Sequence, residues 1–290
     1  MVEIKEATLF ANVGAQLGEG PVWDEKRNCL FSVDIPGKKL FRTELDGTTR
    51  TYDLGQMCGT IPLCEDGDIL LALQDGLYFF NPDTEEKTYF TMPFERDPEM
   101  RFNDGKADPA GRFFVGSQPM SRDKIGALYL VDHDGSSKLL IPEQGCPNGQ
   151  GWSMDRKTMY YINSPDRCVW AFDYNEETSE ISNRRAVVKF PDGDRSFGVP
   201  DGMCVDAEDM IWVAHFGGRR VTRFDPKTGK ELMRVTVNAM AASCPTFGGP
   251  DMDTLFITTA GRPQEGDIPG AIYSIKLPIK GQVAYRFKKA

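Results

Sequence analysis

Apolar residues occur along this chain in short runs, never at the three-to-four spacing of an amphipathic helix. Ile69-Leu70-Leu71-Ala72-Leu73, Arg112-Phe113-Phe114-Val115-Gly116, Met159-Tyr160-Tyr161-Ile162, Met210-Ile211-Trp212-Val213-Ala214 and Leu255-Phe256-Ile257-Thr258 are rich in β-branched and aromatic residues. They are bounded by Gly, Asp, Asn and Pro and are too short for helices, so they predict strands. Between them lie turn signals a strand length apart: Asp46-Gly47, Asp66-Gly67, Asp75-Gly76, Asp134-Gly135, Asn81-Pro82-Asp83 and Asp225-Pro226-Lys227-Thr228-Gly229.

The runs belong to a larger repeat. The phrase Gly20-Pro21-Val22-Trp23-Asp24, then Cys29 to Asp34, then Lys39-Leu40-Phe41-Arg42, returns in Pro62–Phe80, Asn103–Val131, Asn148–Tyr174, Asp201–Asp225 and Cys244–Ile275. With the turn aspartates Asp24, Asp66, Asp108, Asp155, Asp206 and Asp251 as a ruler, the period is roughly 40–50 residues, that of propeller blades. Six units nearly exhaust the chain. The expected fold is all-β, a six-bladed β-propeller with four antiparallel strands per blade, residues 1–290 forming one domain. The strands near Leu9-Phe10 and Ile272–Ile275 would close the ring. A two-sheet sandwich is the competing architecture, but it gives no reason for a repeat of this length.

Composition narrows the function. The chain has 290 residues, with 34 Lys+Arg against 43 Asp+Glu and a formal net charge of −9. Its basic pairs (Lys38-Lys39, Arg184-Arg185, Arg219-Arg220, Lys288-Lys289) are scattered. Nucleic acid and anionic membrane are therefore not expected partners. No apolar stretch approaches a membrane span, and MVEIKEATLF carries charges where a signal peptide would be apolar, so a cytoplasmic protein is expected. Seven cysteines without a C-x-x-C pair read as buried thiols in a reducing compartment, not as a disulfide frame or a zinc site.

In a propeller, residues just ahead of each repeated turn converge on the central axis. Five residues before the ruler aspartates stand Glu19, Ile61, Asn103, Gln150, Asp201 and Thr246, and the fourth unit also carries Asn148. Glu19, Asn103, Asn148 or Gln150, and Asp201 would thus bring carboxylate and carboxamide oxygens to one volume. Such a sulfur-free set suits a hard divalent cation, Ca²⁺, Mg²⁺ or Mn²⁺. Each residue taken alone could equally satisfy strand ends at a solvated channel mouth; the common offset favours the metal.

Leu17-Gly18-Glu19-Gly20-Pro21-Val22-Trp23, the stretch Arg101 to Arg112, Asn148-Gly149-Gln150-Gly151-Trp152-Ser153, Pro200-Asp201-Gly202-Met203, Phe247-Gly248-Gly249 and Gly270-Ala271-Ile272-Tyr273 together resemble the gluconolactonase, regucalcin and luciferin-regenerating-enzyme family of six-bladed propellers. The resemblance runs over essentially the whole chain. It implies that Glu19, Asn148 and Asp201 ligate one divalent cation, most often Ca²⁺, with Zn²⁺, Mg²⁺ or Mn²⁺ as alternatives. It further implies that Arg101 and Asn103 hold substrate, that Asp201 doubles as the catalytic acid-base residue, and that the substrate is a small sugar lactone. One departure is visible. Members of that family commonly carry an acidic residue in a longer loop after the strand Phe113 to Ser117, where this chain has Gln118-Pro119-Met120-Ser121-Arg122-Asp123.

The chemistry follows from the parts. A lactone carbonyl becomes an oxyanion on attack, and a hydrated divalent cation stabilises that charge while acidifying a bound water. Asp201 could take the proton and return it to the departing ring oxygen. Arg101 offers a planar fork of donors, and Asn103 can accept and donate at once. Arg101 could instead cap a strand end, and Asp104 could orient Arg101, bind substrate or form an ordinary Asp-Gly turn. His215, at the end of a fifth-unit strand, reads first as structural, and His133, in a hairpin turn, as exposed. The expected function is metal-dependent hydrolysis of an aldonolactone such as glucono-, xylono- or arabinonolactone. The rivals are hydrolysis of other esters, organophosphates included, and a calcium-binding propeller without turnover. Arg219-Arg220 and the 118–123 loop are candidates for selecting an anionic substrate. Oligomeric state is not legible.

Overall fold

The computed structural model describes residues 2–121, 124–261 and 268–290. Strands form six separate sheets, and each sheet is one of the sequence repeats. Blade 1 contains Gly18–Asp24, Cys29–Asp34, Lys39–Glu44 and Thr49–Asp53, each antiparallel to the next. Blades 3 and 4 repeat this pattern over Met100–Ala107 to Ser137–Gln144 and Pro147–Trp152 to Ile181–Lys189. Blade 5 runs from Val199–Val205 to Glu231–Thr236 and gains Glu3–Glu6 as a parallel outer strand. Blade 6 joins Ala241–Gly248, Thr254–Ala260 and Ile272–Lys276 to the early strand Thr8–Ala11, which closes the ring as the sequence predicts. Radial closure covers the inner strands, and the outermost strand of each blade keeps a free outer edge. The helices among the described residues are two single 3-10 turns, Ser164–Asp166 and Arg195–Phe197.

Blade 2 departs from the four-strand expectation. Its regular strands are Ile69–Leu73, Gly76–Phe80 and Lys87–Thr91. The inner position is filled by residues 57–64, which bond the sheet irregularly through Gly59 N to Ala72 O, Ala72 N to Thr60 O and Leu70 N to Pro62 O. Pro62 lacks an amide hydrogen and interrupts the ladder.

The core lies between blades. Six apolar clusters each join two neighbouring sheets: Phe31, Leu40 and Leu71 link blades 1 and 2, and Trp212, Phe247 and Leu255 link blades 5 and 6. Trp23 stacks on Phe256 at 5.7 Å where blade 6 meets blade 1. Each fully buried side chain of this size stabilises the fold by about 1.5–3 kcal/mol. Trp152 and Trp212 are wholly buried in the same way, as blade packing requires, while half-buried Trp170 lies beneath Arg184. All seven cysteines are free thiols and six are buried, in line with the sequence reading.

The last segment straps one face of the ring. Gln282 N bonds Val205 O, Phe287 N bonds Leu63 O and Lys288 N bonds Gly111 O. Arg286 pairs with buried Asp24 and with Glu25. His133 was expected to be exposed; its side chain is instead half-buried, bonds Ala110 O and sits beside Phe287, because the strap covers its turn.

Candidate metal centre

The innermost strands of blades 3, 4 and 5 share one defect. Pairing skips from Phe102 to Gly105, from Pro147 to Gln150 and from Pro200 to Met203, so two residues face one on the neighbouring strand. The bulged pairs are Asn103-Asp104, Asn148-Gly149 and Asp201-Gly202. A bulge of this kind re-aims side chains out of the normal alternation. In blade 1 the pairing skips from Glu19 to Val22, and Gly20 takes φ +53°; the longer glutamate precedes its bulge. The glycines are required: a Cβ on Gly149 would lie 2.6 Å from Met203 Cβ and 2.8 Å from Asp201 O, and one on Gly202 would strike Cys244. Backbones of adjacent blades meet here without side chains between them.

These bulges gather the predicted residues. Glu19, Asn103, Asn148 and Asp201 are all buried. Asn103 Nδ2 donates to Asn148 Oδ1 at 3.3 Å and to Pro147 O at 2.6 Å. Asn148 Nδ2 donates to Ser164 Oγ at 2.9 Å, and that hydroxyl donates to Pro200 O at 2.6 Å. Arg101 donates to Phe102 O, Asn103 Oδ1 and Gln118 Oε1, each at 2.8 Å. The Arg101 guanidinium is thus bonded both to a strand carbonyl and to the candidate Asn103. Cys146 Sγ lies 3.6 Å from Asn148 Nδ2.

Burial, with the Asp201 and Asp104 carboxylates alongside, raises the Glu19 carboxyl well above its ordinary range, against the pull of the Gly20 amide and Arg101. Burial and then Asp104 raise Asp201 likewise, against the Asn148 amide and Arg101. Neither carboxylate has a cationic side chain within ion-pairing distance among the described residues. A buried carboxylate without a counter-charge either keeps its proton or takes a cation. Among the described residues no three His, Cys, Asp or Glu side chains group as ligands. The donor set here has two carboxylates, with further oxygens from carboxamides, which fits a hard cation completed by water.

The structure separates Asn148 from Gln150. Gln150 Nε2 lies near Asp104 O, and with Asp104, Lys106, Cys204, Cys244 and Thr246 it lines an axial cavity of about 70 Å³ to which Gln282, Ala284 and Tyr285 of the strap also contribute. Asp104 belongs to this cavity. Its Oδ1 accepts from Gly105 N, its Oδ2 has no partner, and burial raises its carboxyl despite Lys106. It neither orients Arg101 nor forms a turn. His215 is wholly buried among Phe190, Phe197 and Phe224, its Nδ1 on Phe197 O, so the structural reading holds. Arg220 lies over the Phe197 ring at 4.4 Å. Of the 118–123 loop, Arg122 and Asp123 lie outside the described residues.

The ruler aspartates need one correction. Asp24, Asp108 and Asp206 end their inner strands, but in blade 4 that place belongs to Ser153, whose N bonds Thr158 O, and Asp155 stands two residues further into the turn. Counting five back from Ser153 lands on Asn148. In blade 2 the corresponding residue is Cys64, and five back is Gly59, where a Cβ would collide with Phe102 O. Sequence reasoning missed Ser164, which orients Asn148; Gln118, expected in a loop, instead ends the strand Phe113–Pro119 and accepts from Arg101. Ser164 follows a strand in Asn163-Ser164-Pro165-Asp166, a turn signal without a functional one.

The model of the SMP-30/Gluconolactonase/LRE-like region matches residues 17–261. YvrE of Bacillus subtilis, provisionally assigned as a sugar lactone lactonase, is 34% identical over 258 residues, 88% of this chain and 87% of that one. Regucalcin of Gallus gallus is 35% identical over 291 residues, 94% and 95% of the two chains. A solved structure described as a calcium-binding regucalcin from Agrobacterium tumefaciens superposes with a TM-score of 0.91 at 23% identity, over 99% of each chain.

Proposed function

Because the chain belongs to the SMP-30/gluconolactonase/LRE-like family, we propose that it is a hydrolase of sugar lactones in which Glu19, Asn148 and Asp201 hold one divalent cation. The observation that carries this reading is the pair of buried carboxylates, Glu19 and Asp201, with no cationic partner among the described residues and beside two carboxamides. Oxygen-only donors favour Ca²⁺, with Mg²⁺, Mn²⁺ and Zn²⁺ as alternatives.

A cation held there supplies Lewis-acid polarisation of the lactone carbonyl and acidifies water. The chain's own groups do the rest. Asp201, ionised when its neighbouring charge is neutralised, accepts the proton of the attacking water and returns it to the ring oxygen as the acyl bond breaks. Asn103 and Arg101 position the substrate, their mutual bond holding both in place. The aldonate formed then leaves the hub. Placement of Arg101 and Asn103 beside the carboxylates favours turnover over simple ion binding, which needs neither.

The test is hydrolysis of glucono-, xylono- and arabinonolactones, followed with a pH indicator, on protein stripped by a chelator and then reloaded with Ca²⁺. Activity should vanish on stripping and return on reloading. Asp201→Asn should remain folded and be slower by at least about 10²-fold. Full activity of the stripped protein or of the variant rejects the mechanism.

A further inference from the structure

Arginines in this fold pair with carboxylates almost wherever they are buried. Arg112 meets Asp108, Arg223 meets Asp206 and Glu208, and Arg286 meets Asp24 and Glu25. Arg101 is the exception at the site. All three oxygens it bonds, on Phe102, Asn103 and Gln118, are neutral, and no ion pair joins it among the described residues. The carboxylates at the entry to its strand are engaged elsewhere, since Lys124 pairs with Asp97 and Glu99. From a distance Cys146 and then Glu19 and Asp201 favour its charge, and the two carboxylates are the proposed ligands of the cation.

Gln118 sets this balance. It stands directly across the ladder from Arg101, half-buried at the mouth end of both strands. Its Oε1 accepts from the guanidinium, which leaves its Nε2 group as a second donor. The two side chains therefore present N–H donors and one uncompensated positive charge to whatever enters the mouth. A neutral hydroxyl would leave that charge half-desolvated, whereas a carboxylate satisfies it with charge-assisted bonds in the geometry a guanidinium prefers.

Resting on the lactonase reading, we propose that Arg101 and Gln118 bind a carboxylate on the substrate remote from the ester, so that the preferred substrates are monolactones of sugar diacids. Gln118 is the specificity-determining residue, because a carboxylate at its position would cancel the charge.

Two matched pairs test this on the Ca²⁺-loaded protein: D-glucaro-1,4-lactone against D-glucono-1,4-lactone, and the galacto counterparts. They differ only in a carboxylate or a hydroxymethyl group at C6. The diacid member should have the higher kcat/KM by about tenfold or more in at least one pair, chiefly through KM, and Gln118→Glu should collapse the ratio. Calorimetric titration with D-glucarate and D-gluconate gives a readout without turnover, and glucarate should bind more tightly. Hydrolysis of the neutral lactones as fast as the diacid ones overturns the inference and leaves the lactonase reading standing. Absence of all hydrolysis, with glucarate still preferred, keeps the anion site and removes the lactonase. Preference for 6-phosphogluconolactone over the diacid lactones overturns the carboxylate assignment in favour of phosphate.

Discussion

Asn103 and Asn148, from adjacent blades, are joined by a hydrogen bond of 3.3 Å from Nδ2 of the first to Oδ1 of the second. The oxygen of Asn148 thereby faces Asn103, and its amide nitrogen donates to Ser164 Oγ. Ser164 in turn holds Pro200 O, the residue before Asp201. One hydroxyl thus orients a candidate ligand on blade 4 and anchors the strand that carries another on blade 5. Ser164→Ala should lower Ca²⁺ affinity by about 10- to 100-fold, the usual cost of losing a group that orients a ligand. Isothermal titration of the stripped variant measures it. Unchanged affinity with native circular dichroism would mean that Asn148 is held by packing alone.

The metal-free protein should lose stability as pH rises. Glu19 and Asp201 have carboxyls raised by burial and by neighbouring carboxylates, with Asp104 foremost among them for Asp201. Above the ordinary carboxyl range these two groups therefore bind more protons in the native state than in the unfolded chain, and above the range in which His215 acts, stability falls with pH until both have ionised. Denaturant midpoints of stripped protein should decline from neutral to alkaline pH, and saturating Ca²⁺ should flatten the curve. Glu19→Gln should stabilise the stripped protein at pH 8 while weakening its response to Ca²⁺. A stripped protein whose stability is flat or rises over that range would show that the two groups are ionised without a cation.

Blade number, ring closure and the burial of cysteines were legible because they depend on hydrophobic alternation and turn chemistry, which are local. The offset of the site was legible for the same reason: Glu19, Asn103 and Asp201 stand at one place in a repeated phrase. Gln150 competed with Asn148 because the blade 4 aspartate, Asp155, stands two residues beyond Ser153, which there takes the role that aspartate has in blades 1, 3 and 5. The direction of Asp104 was not legible at all. A bulge sends Asn103 and Asp104 to opposite fates, one to Arg101 and Asn148, the other to the inner cavity. That division depends on where a ladder slips, which no periodicity encodes. Ser164 acts through partners on other strands, so only the assembled ring reveals it, and the bond from Arg101 to Gln118 depends on the ladder register that sets the two across from each other.

His215 should make the loaded protein acid-sensitive. Burial among aromatic rings, with Arg220, Arg234 and Arg167 adding repulsion, pushes its imidazole down to about 3, although Phe197 O favours the charged form. Between that value and the ordinary histidine range the unfolded chain binds a proton that the native state refuses. Stability contributed by the neutral ring is therefore complete above pH 6.5 and lost as pH falls, by at most about 1.4 kcal/mol per pH unit. His215→Gln keeps a donor for Phe197 O and cannot charge. Urea titrations of Ca²⁺-loaded parent and variant at pH 7, 6 and 5 should show the difference between them narrowing as pH drops. Parallel curves would place the imidazole in contact with water.

Closure of the ring's strapped face rests on one side chain more than on the ion pairs around it. Phe287 is wholly buried against Phe79 and Phe90, with ring centroids at 6.0 and 5.7 Å, and it packs with Leu70, Phe102 and Phe113 where blade 2 meets blade 3. Its backbone also continues the inner edge of blade 2 through Leu63 O and Glu65 N, where that blade lacks a regular fourth strand. The strap therefore supplies packing and hydrogen bonds that the sequence of blade 2 does not. Phe287→Ala should cost about 3–5 kcal/mol, the range for a buried phenylalanine whose site cannot collapse. Val283, exposed on the same strap, should cost less than about 0.5 kcal/mol when changed to Ala. Urea unfolding with an unchanged slope separates the two. A loss below about 1 kcal/mol for Phe287→Ala would mean that the strap lies on the ring without holding it.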